Sequence, residues 1–203
     1  MSPPEITVYF DYVCPYCLLA EDTIATVAAE RGATIAWRPF ELRPEPTATL
    51  RPEDDYLPRV WRASVYPMAE RLGVAITLPT VSPQPHTHLA FEGALYAREH
   101  GRAEPYHDAV LRAFFQRDRD IGQPAVLTDI AAEVGLDTTE FATVLAERRN
   151  AEDHRAELAL ARQAGVRAVP TVDIGTHRFE GVPEPERLRE ALSEVPEATG
   201  PTP

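Results

Sequence analysis

Ile6-Thr7-Val8-Tyr9-Phe10-Asp11-Tyr12-Val13-Cys14-Pro15-Tyr16-Cys17 decides the reading of this chain, because an apolar, strand-like run passes straight into a Cys-Pro-Tyr-Cys tetrapeptide that opens a helix-like one. Asp11, Tyr12 and Val13 leave no room for another element, so the tetrapeptide sits in a strand-to-helix turn. Two residues three apart at a helix start have Cα atoms about 5–6 Å apart, the separation a disulfide requires. Cys14 and Cys17 are the chain's two cysteines, and they can open and close a bond with little backbone movement.

Working outward, Ala20, Ile24, Val27 and Ala28 recur with helical spacing up to Arg31, and Gly32 is a natural stop. Thr34–Arg38 reads as a second strand ended by Pro39, and a strand–helix–strand unit of this length implies a parallel pair. Beyond Arg43-Pro44-Glu45-Pro46 the pattern turns helical, with Pro58 and Pro67 limiting or bending a segment that ends near Leu72-Gly73. After a proline-rich loop, Pro79–Pro85, helices are predicted at Thr87–Glu99, Glu104–Gln116 and Pro124–Val134. Asp137-Thr138-Thr139-Glu140 is a capping-box pattern that opens another helix through Arg149. Asp153–Ala164 is a further predicted helix with Asp153 as its N-cap. Thr171–Ile174 and His177–Phe179 flank Gly175-Thr176 as a hairpin, and a last helix runs from about Glu184 to Ser193. The expected class is α/β, a thioredoxin fold with a large all-helical insertion. Residues 1–50 form the β-α-β part, 51–149 the insertion and 150–195 the closing part, with a disordered tail at 196–203.

Twenty basic against 32 acidic side chains give a net charge of −12, which repels phosphate backbones and anionic membranes, so neither nucleic acid nor a membrane is an expected partner. All the basic residues are arginine, which excludes lysine Schiff-base chemistry. Met1–Glu5 has no cationic n-region and Ile6–Phe10 is too short for a signal-peptide core, so no export signal is expected. With no apolar run approaching the ~20 residues that span a bilayer, a reducing cytoplasm is the expected location. A vicinal dithiol there is catalytic or metal-binding.

At the helix start, unpaired amides and the positive dipole end favour a thiolate at Cys14, the expected accessible nucleophile. Cys17, one turn deeper on the apolar face, is the expected resolving thiol. Pro15 suits the first helical turn because its missing N–H would be unpaired there, and Tyr16 adds uncharged aromatic surface. A zinc site would need two further ligands, and no metal is expected. Asp11 can relay protons to Cys17 or can simply form the turn. Arg38 can offset its charge or sit in an exposed ion pair. Val169-Pro170 precedes the first hairpin strand, where a thioredoxin-type fold brings a proline loop against the sulfurs. The Val169 backbone can pair there with a substrate peptide, with Thr171 within reach. His86 and His88, two apart, are expected at a surface or pocket rim, and Tyr12, Tyr16, Phe40 and Trp61 are candidates to line a cleft.

Four segments together resemble the DsbA-like thioredoxin-fold family, and its FrnE-type cytosolic branch in particular: Phe10–Cys17, Trp37-Arg-Pro-Phe-Glu-Leu-Arg-Pro44, Met68-Ala-Glu-Arg-Leu-Gly73 and Gly165-Val-Arg-Ala-Val-Pro-Thr171. The resemblance implies protein disulfide oxidoreductase activity through a redox-active centre, with Cys14 as nucleophile, Pro170 in a cis peptide bond and a helical insertion. It implies protein or small-molecule thiols and disulfides as partners, and no cofactor beyond glutathione as a co-substrate. Kappa-class glutathione transferases and hydroxychromene-carboxylate isomerases belong to the same superfamily, bind glutathione and typically carry serine where this chain has Cys14. A glutathione-dependent transferase or isomerase is therefore the alternative. Oligomeric state and redox potential are not legible in these residues.

Overall fold

The computed structural model describes residues 3–195, so the predicted tail at 196–203 lies outside the described residues. Strand β1 (Glu5–Phe10) alternates, burying Ile6, Val8 and Phe10, and is central in a four-stranded sheet of order β2-β1-β3-β4. Strand β2 (Thr34–Pro39) pairs with it in parallel, Ile6 opposite Ile35 and Phe10 opposite Pro39. On the other side β3 (Thr171–Ile174) runs antiparallel to β1, and β4 (His177–Glu180) closes the hairpin. The α/β class is as expected, with most of the helices between β2 and β3 in the chain.

Helix α1 (Pro15–Arg31) links the parallel strands and ends at Gly32, whose φ of 61° closes the helix without the steric penalty of a Cβ. It is buried on all sides over its first turns, and it belongs to two cores. Its later turns, through Ile24 and Val27, pack with Ile6, Val8, Val172 and α9 (Pro185–Glu194). Its first turns, through Cys17, Leu18 and Leu19, join Trp61, Phe91, Tyr106, Phe114 and Phe141 of the helical block. That block comprises α2 (Tyr56–Val60), α3 (Tyr66–Leu72), α4 (His88–Glu99), α5 (Ala103–Arg117), α6 (Pro124–Glu133) and α7 (Thr138–Ala146), after which α8 (Ala151–Gln163) packs on β2. At Gly93 on α4 an added Cβ would meet Phe141 Cζ at 2.8 Å and clash with the Tyr106 hydroxyl. No side chain fits at that crossing.

Around Pro58 and Pro67 the helix is locally altered without being interrupted: a π-helical turn, Trp61–Val65, joins α2 to α3, which ends at Leu72 before Gly73 as expected. Two local expectations are corrected. Asp137 accepts the Glu140 amide at 2.9 Å, but the Glu140 carboxylate turns to Arg149 at 2.6 Å instead of closing the box, and α7 stops at Ala146. Helix α8 begins before Asp153, with Asn150 at the cap position and its side-chain amide committed to the Glu92 carbonyl at 3.0 Å.

Candidate active site

The end of β1 turns into α1 through one backbone hydrogen bond, Cys14 N–H to the Asp11 carbonyl at 3.0 Å. Cys14 is the N-cap, extended at φ −90° and ψ 111°, and Pro15 opens the helix where its lack of an N–H costs nothing. The Cys17 amide donates to the Cys14 carbonyl at 3.0 Å and fixes the first turn. From the far end of the chain the Val169-Pro170 loop, with its cis peptide bond, closes over this corner. The Cys14 thiol donates to the Val169 carbonyl at 3.3 Å, and the Pro170 carbonyl ties the loop to Gly181 at 2.8 Å.

Both thiols are free and both are buried, Cys14 at 3% and Cys17 at 1% exposure, which corrects the expectation of an accessible Cys14 above a hidden Cys17. Exposure does not distinguish the two, because Val169 covers one side of Cys14 and the aromatic core packs on the other. What distinguishes them is a cleft of ≈190 Å³ that Cys14 borders together with Asp11, Tyr16, Leu50, Trp61 and Val169, while Cys17 lies behind it. Burial pushes the Cys17 thiol well above its ordinary pKa, and the neighbouring Cys14, in hydrogen-bonding contact, raises it further.

Asp11 is fully buried and borders the same cleft. Its Oδ2 accepts the Leu42 amide at 2.7 Å. Desolvation lifts its pKa to about 6 against the pull of the Leu42 amide and the Thr87 hydroxyl, and the negative charge of Glu41 adds to the rise. Asp11 thus forms the turn through its backbone and carries a carboxyl that changes charge near neutrality. Glu41 is in turn paired with His154, Oε1 to Nε2 at 2.6 Å, both side chains nearly inaccessible.

The structure gathers Asp11, Cys14, Pro15, Tyr16 and Val169 around one cleft, but not all the predicted site residues. Tyr16 hydrogen-bonds Ser64 at 2.7 Å. Pro170 stands behind Val169, and the Thr171 hydroxyl is committed to the Ala168 carbonyl at 2.8 Å. Arg38 lies 3.7 Å from Glu157 and does not counter Asp11. Trp61 lines the cleft, whereas Tyr12 lines a different cavity. His86 bonds the Arg43 carbonyl at 2.9 Å, and among the described residues no group of three or more His, Cys, Asp or Glu side chains could hold a metal ion. Sequence reasoning missed Leu42 and Tyr56, 44% and 48% exposed at the cleft, and Thr87 beside Asp11. Helical periodicity marks which residues are buried, not which distant carboxyl or sulfur they face.

Among the described residues no helix is long and apolar enough to cross a membrane. Residues 5–193 match the DSBA-like thioredoxin domain family. The chain is 40% identical over 192 residues to the uncharacterized protein YwbO of Bacillus subtilis, covering 94% of this chain and 96% of that one. It is 25% identical over 185 residues to the 2-hydroxychromene-2-carboxylate isomerase of Sphingobium xenophagum, covering 87% and 91% respectively. Among solved structures, the cytosolic disulfide reductase DsbM of Pseudomonas aeruginosa with GSH superposes with a TM-score of 0.70 at 17% identity, covering 93% of this chain and 97% of that one. With a family match over nearly its whole length and a relative at 40% identity, the chain belongs to the DSBA-like thioredoxin domain family.

Proposed function

We propose that the chain is a cytoplasmic dithiol–disulfide oxidoreductase in which Cys14 is the nucleophile and Cys17 the resolving thiol. The observation that carries this reading is Cys14 at the N-cap of α1, on the wall of a cleft, with the Cys17 thiol in contact behind it. The Cys14 thiolate attacks one sulfur of a substrate disulfide, that S–S bond breaks, and the first substrate sulfur leaves as a thiolate that takes up a proton. Cys17 then loses its proton and attacks the Cys14 sulfur of the mixed disulfide, expelling the second substrate sulfur. Two electrons pass to the substrate and the Cys14–Cys17 disulfide forms, and the reverse sequence oxidises a dithiol. Asp11 suits the proton step, since Cys17 must give up a proton that burial holds tightly and a carboxyl titrating near 6 can accept it. Leu42 and Tyr56, apolar and exposed at the cleft, suit an apolar segment of a protein substrate beside the Val169 loop.

Insulin reduction by the wild type and by Cys14→Ala tests the assignment. Turnover falling at least about a thousandfold in the variant fits the role of an essential nucleophile, and unchanged turnover refutes it. A second reading, a glutathione-dependent isomerase or transferase, draws on the similarity to the Sphingobium isomerase. It predicts tight glutathione binding and an activity that survives Cys17→Ser.

A further inference from the structure

Outside the thiol cleft a concavity runs along the free edge of β2, under α4, α5 and α8, with a volume of ≈310 Å³, within the range of small-molecule pockets. Its walls are aromatic and aliphatic, from Phe10, Trp37, Phe91 and Leu95. Three polar side chains on its lining are almost wholly buried, and each has a polar atom that makes no hydrogen bond: the Tyr12 hydroxyl, both ring nitrogens of His107, whose Nε2 lies 3.6 Å from the Glu21 carboxylate, and His154 Nδ1. Such groups are costly to bury and are normally satisfied by the protein, water or a ligand. Their company is also unusual, since the His107 ring stacks on Trp37 at 4.0 Å and the His154 ring on Phe91 at 5.3 Å. Each imidazole is held flat against an aromatic wall with a nitrogen unclaimed.

We propose that this cavity is a binding site for a small, flat, uncharged aromatic molecule carrying a hydroxyl, separate from the thiol cleft. The aromatic walls fit a flat ring. The hydroxyl follows from His154: its Nε2 faces the Glu41 carboxylate, an acceptor, so Nε2 holds a proton and Nδ1 is left as a lone pair or an N–H according to the ring's charge. A hydroxyl both accepts and donates, so it meets Nδ1 in either state, whereas a carbonyl meets it in only one. The absence of charge follows from the lining. Arg38 and Arg98, the cations at the exposed end, share the Glu157 carboxylate at 3.7 and 2.7 Å, and Glu104 lines the cavity as well. The lining thus carries two guanidinium groups and two carboxylates, with no net positive charge for an acidic ligand. Burial drives the His107 pKa down to about 3, so that ring is neutral too.

Titration calorimetry with 2-naphthol tests the site. The wild type is expected to bind it with a Kd of about 10–100 µM, and 2-methoxynaphthalene, which cannot donate, about tenfold more weakly. Ala94→Trp, which fills the cavity from α4, is expected to weaken 2-naphthol at least about tenfold, while Tyr56→Ala at the thiol cleft and Cys14→Ser leave it within about twofold. If Ala94→Trp does not fold, nuclear Overhauser contacts from the ligand ring to Trp37 and Leu95 of the wild type serve instead. No saturable binding at millimolar ligand, binding indifferent to Ala94→Trp, ligand contacts elsewhere, equal binding of the methyl ether, or tighter binding of 2-naphthoate would each overturn the proposal. Because Cys14→Ser is a neutral variant here, the result is independent of whether the thiol chemistry stands.

Discussion

Two concavities flank the same few residues at the end of β1, and they differ in how their polar atoms are treated. Asp11 and Val13 line the thiol cleft, while Phe10 and Tyr12 line the cavity at the β2 edge. On the cleft side most polar groups are paired: Cys14 bonds Val169, Asp11 Oδ2 accepts the Leu42 amide and Tyr16 bonds Ser64, while Asp11 Oδ1 is buried without a partner. On the cavity side Tyr12, His107 and His154 keep unpartnered atoms. The open atom of the cleft belongs to the carboxyl that suits a proton transfer, whereas the open atoms of the cavity sit on three side chains among aromatic walls. Glu41 lies between the two, its charge acting on Asp11 and its carboxylate bonded to His154.

The largest effect expected from disturbing this division comes from the wall itself. Glu41→Leu leaves His154 buried without its partner and is expected to destabilise the fold by about 3–5 kcal/mol, read as a fall in the denaturant midpoint. A loss below about 1 kcal/mol would mean that the pair is not what separates the two regions.

Asp11→Asn is the next test. The folded pKa of about 6 exceeds the ordinary 3.8, so the native state holds this proton more tightly than the unfolded chain does. The buried carboxyl therefore costs nothing below about pH 4, costs progressively more up to about pH 6, and costs a constant amount above that. The asparagine variant is expected to match the wild type near pH 4 and to exceed its stability at pH 8, by up to about 3 kcal/mol. Its thiol exchange at pH 7 is expected to slow by at least about tenfold if the carboxyl relays the Cys17 proton. Denaturation curves at the two pH values read the first effect and stopped-flow exchange reads the second. Equal stability at both pH values would contradict the assigned environment.

Tyr16→Phe should have the smallest effect. It removes the bond to Ser64 and is expected to cost about 0.5–1.5 kcal/mol, with the cavity side unchanged.

The fold and part of the cleft were legible in the sequence for a physical reason: their signals are local. A β-branched run, a proline at the first helical position and Gly32 after Arg31 mark β1 and α1 without reference to anything distant. The loop at Val169-Pro170 was legible through its place before the hairpin. Burial of Cys14 was not, because the residue that covers it is 155 positions away. Nor was the Glu41–His154 pair, whose members are 113 residues apart and carry no shared motif. The π-helical turn at Trp61–Val65 escaped for a different reason: prolines at 58 and 67 signal a disturbed helix equally well whether it breaks or bulges.

Trapping the mixed disulfide in Cys17→Ser tests the central claim most directly, because that variant can complete the first attack but not the second. After incubation with oxidised glutathione and acid quench, intact-mass and peptide analysis should find one glutathione attached at Cys14, and none on Cys14→Ser, whose remaining Cys17 lies behind the cleft. An adduct that forms equally on Cys14→Ser, or no adduct on either variant, would contradict the assignment of Cys14 as the attacking thiol.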